Sequence, residues 1–300
     1  MGGGRRVRVV AVVVLLALAA CGGGNGGEPS DPPQPAVAHR RLDVAGTDRA
    51  YRLYTPPDSQ DAGRPVPLVV ALHGSGNTAE SLVDASELDQ AADAGGFIVA
   101  YPQAIGISWH AGFCCTTGRG DPSADLRFLD QLVSDVVASR RIDERRIYAV
   151  GFSAGGMMAY RLACDLAGRF AGVAAIAASM AVDDCRPSRP VSVIAIHGTA
   201  DDVVPYEGGR IMGGATKPAP PATAVAERWA ALDTCPDPRP PEVRGPVSIV
   251  SWDGCAAGTS VRLVAVAGGG HNWFLPVYGP PNGALHATET MTEFFGLRAR

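Results

Sequence analysis

Lysine is almost missing from this chain: Lys217 is the single one among 26 basic residues. No run of basic residues occurs, and the formal net charge is −4, more acidic still once the three arginines of the first eight residues are set aside. A chain with no basic patch does not fit a nucleic-acid partner. Internal repeats are absent, which excludes a solenoid or propeller. A phosphate-cradling glycine loop is also absent, which removes the usual nucleotide-binding motifs. The one long apolar run, residues 9–20, is short for a membrane span. No histidine stands at ligand spacing from a cysteine, so neither a metal nor an organic cofactor is expected.

What is there begins with MGGGRRVRVVAVVVLLALAAC. A charged start, a short apolar stretch and small residues before a cut site describe a secretory signal over residues 1–20. Leu18-Ala19-Ala20-Cys21 resembles a bacterial lipobox, which makes Cys21 the candidate lipidated residue and the membrane a partner through that anchor. Residues 22–38, GGGNGGEPSDPPQPAVA, have little to bury and read as a flexible tether. The remaining 39–300 suit one large domain on the outer side of the cytoplasmic membrane. Its six cysteines are an even number in an exported chain and read as disulfides. Cys235 and Cys255 flank a proline-rich excursion and form the preferred pair. Cys114, Cys115, Cys164 and Cys185 allow three connectivities, a vicinal bridge among them, and the sequence does not choose.

Apolar runs at 67–74, 97–102, 146–151, 171–179, 191–198 and 261–268 are rich in valine and isoleucine. Continuous runs of this kind belong to strands covered on both faces. RRLDVAG and AYRLYTP look like an antiparallel opening pair. Helical patterns over 79–94, 124–140, 154–167, 222–232 and 285–296 alternate with the strands. Together they predict an α/β fold, a doubly wound, mostly parallel sheet with helices on both faces. Ligands bind such sheets at the carboxyl ends of the strands, so the loops that follow strands carry the interest.

Gly151-Phe152-Ser153-Ala154-Gly155 follows one strand and opens a helix. That is a G-x-S-x-G nucleophile elbow in its confirming context. A serine needs a base to take its proton, and in the α/β-hydrolase chain order the acid and then the histidine follow the serine. His271 and His286 qualify. His271, in AGGGHNW directly after a strand, is preferred, because His286 opens the last helix. HGTADDVVPY offers Asp201 and Asp202 as the acid. The spacing H-G-x-x-D-x-x-V-P is similar to that of such acids and favours Asp201. LHGSGN follows the first long strand, so the backbone N–H groups of Ser75 and of Ala154 are the candidate oxyanion donors. His73 and His197, each in a His-Gly at a strand end, read as structural. Trp109 and Trp273 are candidate walls of a substrate cleft.

LHGSGN, RIYAVGFSAGGMMAYRLAC, HGTADDVVPYEGG and GGGHNW, in that order along the chain, resemble the secreted polyhydroxybutyrate depolymerase and feruloyl esterase family of α/β-hydrolases. The likeness runs from about residue 45 to the end. It implies a serine esterase with Ser153, Asp201 and His271 as its triad and a Cys235–Cys255 bridge near the histidine loop. The expected substrate is a small or oligomeric ester: a hydroxyalkanoate oligomer, or a feruloyl or acetyl ester. The histidine block departs from the common Trp-Pro-Gly, running Trp273-Phe274-Leu275-Pro276. The chain also carries no threonine-rich linker or separate binding domain of the kind that depolymerases of solid polyester add. Two other classes remain: an inert surface binding lipoprotein on a hydrolase scaffold, and a peptidase of the same fold.

Overall fold

The computed structural model describes residues 34–60, 63–115 and 121–298. The expected signal, the lipidation candidate Cys21 and most of the tether lie outside the described residues. The strands are β1 (Ala36–Val44), β2 (Thr47–Thr55), β3 (Val66–Leu72), β4 (Ile98–Pro102), β5 (Ile142–Phe152), β6 (Gly172–Ile176), β7 (Ser192–Gly198), β8 (Glu242–Arg244), β9 (Val247–Trp252) and β10 (Val261–Val266). They form one sheet in the order β1-β2-β4-β3-β5-β6-β7-β10-β9-β8. From β4 to β10 the neighbours are parallel, and antiparallel strands flank this centre on both sides. This is the α/β-hydrolase architecture.

The helices are α1 (Pro57–Gln60), α2 (Ala79–Ser86), α3 (Leu88–Gly95), α4 (Ala124–Ser139), α5 (Ala154–Asp165), α6 (Ala222–Leu232) and α7 (Ala287–Phe294). Successive strand side chains point to opposite faces, so each apolar run feeds two cores. Leu68, Val70 and Leu72 of β3 face one core, with Phe128 and Leu132 of α4, Met157 of α5 and Trp229 of α6. Val69 and Ala71 face the other, with Leu82 of α2, Leu88 of α3 and Met291 of α7. Full burial of such a side chain is worth about 1.5–3 kcal/mol, and this two-sided demand is what covers the sheet with helices.

Three expectations are corrected. The stretch 22–38 does not stay a tether to its end, because β1 starts at Ala36 and pairs with Thr55 of β2. Backbone hydrogen bonds recruit those residues to an edge strand, which little apolar burial would have announced. The helix expected over 79–94 is two, because Glu87 lies between them at φ 54°, in the left-handed region. The edge strands β8 and β9 were not expected at all. The cysteines pair as Cys235–Cys255, Cys164–Cys185 and the vicinal Cys114–Cys115.

In chain order β4 lies on one side of β3 and β5 on the other. The topology therefore switches direction between β3 and β5, and the crevice beyond their carboxyl ends is where such a sheet takes a ligand.

Candidate active site

Ser153 sits at that crevice, between the last residue of β5 and the first of α5. Its backbone has φ 53° and ψ −121°, a conformation that costs a non-glycine residue about 1–3 kcal/mol. Neighbouring glycines make the turn possible. A Cβ on Gly151 would collide with the carbonyl of Gly155, and one on Gly155 with the carbonyl oxygen of Leu72. A Cβ on Gly156 would stand 2.6 Å from that of Ala178. The Ser153 N–H donates to the carbonyl of Ile176 at 2.9 Å, tying the turn to β6. The side chain is half-buried and stands before the positive end of α5.

The loop after β3 closes over this turn. A Cβ on Gly74 would lie 3.4 Å from the Ser153 Cβ and 3.0 Å from the Phe152 ring. His73 Nδ1 meets the Gly74 carbonyl at 2.8 Å, and its Nε2 accepts from the Ala104 N–H at 3.1 Å. Burial pushes the His73 imidazole below the ordinary histidine range, which suits this donor–acceptor arrangement. Gly76 N–H donates to Ile107 at 2.7 Å, and the Ser75 and Ser108 hydroxyls are 2.6 Å apart. With the turn held at these points, the backbone N–H groups of Ser75 and Ala154 make no hydrogen bond to the described residues. Two unspent donors beside a half-buried hydroxyl can receive a developing oxyanion.

His271 follows β10 and Asp201 follows β7. His271 Nδ1 donates to Asp201 Oδ2 at 2.8 Å. The Asp201 side chain is 0% exposed and that of His271 is 15% exposed. Burial opposes the Asp201 charge, but hydrogen bonds from His197, His271 and the Val204 N–H outweigh it and hold the carboxyl well below the usual range. The two loops brace each other, Ala200 N–H donating to Gly269 at 2.9 Å and Gly268 N–H to Thr199 Oγ1 at 2.9 Å, and Gly270 N–H donates to Asn282 Oδ1 further along the chain at 2.9 Å. The His271 ring packs on Phe152, the neighbour of Ser153, with centroids 4.8 Å apart. No hydrogen bond joins the Ser153 hydroxyl to His271 in this structure. Unliganded hydrolytic sites commonly tighten that contact only around substrate.

Of the alternatives, Asp202 is exposed. His286 caps α7 and bonds Glu87 at 3.1 Å, away from this group. Trp109 and Trp273, expected as cleft walls, are 0% and 2% exposed and belong to the core instead. Each buries its indole because the N–H has an internal acceptor: Trp109 Nε1 donates to the His73 carbonyl at 2.8 Å, Trp273 Nε1 to Thr288 Oγ1 at 2.7 Å. The first braces the Ser75 loop from behind. Two residues were missed in these roles: Phe152, hidden as the variable position of the elbow, and His197, whose His-Gly setting gave only a structural signal. Among the described residues, no group of three or more histidine, cysteine, aspartate and glutamate side chains is placed to hold a metal ion.

A family model described as Esterase PHB depolymerase matches residues 49–208. "Putative esterase NocK" of Nocardia uniformis subsp. tsuyamanensis is 34% identical over 280 residues, covering 85% of this chain and 81% of that protein. Feruloyl esterase B of Piromyces equi is 28% identical over 226 residues, covering 72% of this chain but 41% of the longer relative, so the chain spans less than half of that protein's length. Among solved structures, an acetyl xylan esterase from Aspergillus awamori superposes with a TM-score of 0.61 at 17% identity, over 87% of this chain and 99% of that one. That likeness shows the fold.

Proposed function

Since the chain belongs to the esterase PHB depolymerase family of carboxylic ester hydrolases, we propose that Ser153, His271 and Asp201 are its catalytic relay and that it works as an exported, lipid-anchored serine esterase. The observation that carries this reading is the Asp201–His271 hydrogen bond of 2.8 Å, on loops that bring the imidazole against the residue preceding the strained serine. Because Asp201 occupies Nδ1, Nε2 is the nitrogen left to take the Ser153 proton.

Ser153 Oγ then bonds to the ester carbonyl carbon, and the carbonyl electron pair moves to oxygen, held by the Ser75 and Ala154 N–H groups. Collapse breaks the ester C–O bond, and the alcohol leaves with the proton from His271. Water gives a proton to His271 and bonds to the acyl carbon; the acyl–Oγ bond then breaks, His271 returns the proton to Ser153 Oγ, and the acid is released. Export and anchoring draw support from the leader, from Cys21, and from three disulfides, which persist in oxidising compartments. Feruloyl and acetyl esters, together with short hydroxyalkanoate oligomers, are the substrates to rank.

The test compares rates on p-nitrophenyl esters of rising chain length, methyl ferulate, acetylated xylan and hydroxybutyrate oligomers, for wild type and Ser153→Ala. Loss of the nucleophile should leave a folded protein with only a residual ~10³–10⁴-fold advantage over water. A folded Ser153→Ala variant that keeps the wild-type rate overturns the assignment.

A further inference from the structure

Asp201 accepts three hydrogen bonds, and a second imidazole stands against the same carboxylate. Oδ1 accepts from the Val203 N–H at 2.9 Å and the Val204 N–H at 2.8 Å. Oδ2 accepts from His271 Nδ1 at 2.8 Å and lies 3.2 Å from His197 Nε2. An ionised carboxylate has about four lone-pair sites, so three hydrogen bonds and the His197 N–H beside the fourth site favour the charged form.

His197 stands behind this carboxylate at the end of β7, 1% exposed, its ring edge-on to Tyr206. Its Nε2 also lies 2.8 Å from the Val204 carbonyl oxygen. Both neighbours of Nε2 are acceptors, so that nitrogen carries the proton and shares it between them. Nδ1 is buried with no hydrogen-bond partner, as fits a bare lone pair; a proton there would be a buried donor without an acceptor.

Each donor to a carboxylate oxygen withdraws part of its charge. With the His197 N–H 3.2 Å from Oδ2, less charge remains to stabilise an imidazolium at His271 than the carboxylate would offer without it. From this shared oxygen we infer that His197 is a positioning residue, which fixes the Asp201 side chain from behind and sets how readily His271 holds a proton. Among the described residues His271 has no ion-pair partner other than Asp201, and the ring packed on it, Phe152, is uncharged. The acidic limb of the pH profile should therefore report His197 through Asp201. The inference rests on the triad reading, whose own control is Ser153→Ala.

The experiment is the pH dependence of kcat/KM on a p-nitrophenyl ester for wild type, His197→Met and His197→Gln, each checked for folding by circular dichroism. His197→Met keeps bulk and removes the N–H. Its acidic limb should move up by about half to one pH unit, the size of one net hydrogen bond, and its optimum kcat/KM should fall roughly tenfold or more as Asp201 loosens. His197→Gln restores a donor near the Nε2 position and should recover most of the rate, with the limb near its wild-type place. A folded His197→Met variant whose limb does not move overturns the inference, whatever its rate. If His197→Met does not fold, His197→Gln decides: recovery supports the inference, and a shifted limb or a tenfold loss overturns it. Full activity in Ser153→Ala would instead remove the triad and this inference with it, a distinct outcome.

Discussion

At the scale of single residues, the relay depends on which aspartate meets the histidine. Asp201 and Asp202 are adjacent in sequence, yet one is buried, with three hydrogen bonds and the His197 imidazole around its carboxylate, and the other faces solvent. Asp201→Asn would turn an acceptor into an N–H₂ pointing at donors and disturb the tautomer of His271, so kcat/KM should fall by about 10³–10⁴-fold. Asp202→Asn should stay within about twofold, the ±0.5 kcal/mol typical of surface changes. Steady-state kinetics of the two purified variants check this, and the reverse order would hand the role to Asp202. The Asp201–His271 pairing was legible in the sequence because loop placement after strands narrows the choice to few residues and the H-G-x-x-D-x-x-V-P spacing favours Asp201 over Asp202. Hydrogen-bond geometry was not: the spacing that favours Asp201 also carries His197, and nothing in a His-Gly pair tells whether its ring turns a loop or touches a carboxylate. The two tryptophans misled for a related reason. The acceptors that meet their buried indole N–H groups, a backbone carbonyl and a distant threonine, have no sequence signal.

At the scale of elements, strands whose apolar runs are continuous were legible, because only a sheet covered on both faces satisfies them. Edge strands were not. β8 is exposed throughout, and β9 is half-buried at its four middle positions, so neither offers a periodicity to read. The break between α2 and α3 escaped notice because Glu87 takes the left-handed conformation usually left to glycine. The elbow was legible through its glycines, and they carry the element-scale prediction. Gly155 passes so close to β3 that a methyl group meets the Leu72 carbonyl, which is backbone and has no easy retreat. Gly155→Ala should cost at least about 1–3 kcal/mol, the usual range for overpacking, and should displace the serine. Denaturant midpoints and ester hydrolysis measure the two effects; an unchanged midpoint with full activity would show that the close approach imposes nothing.

At the scale of the whole molecule, the site is assembled from four loops at one edge of the sheet, after β3, β5, β7 and β10. The disulfides stand outside this set but tie down the segments around it. Cys164–Cys185 joins the end of α5 to the chain beyond β6, and Cys235–Cys255 joins the end of α6 to the segment leading into β10. The most direct test of the relay is covalent: the wild-type protein is treated with a fluorophosphonate, the adduct is mapped by peptide mass spectrometry, and the treatment is repeated on His271→Ala. The expected result is a single adduct on Ser153 that abolishes hydrolysis, with labelling strongly slowed in the histidine variant. Hydrolysis that survives full labelling, or an adduct on another residue with Ser153 untouched, would contradict it.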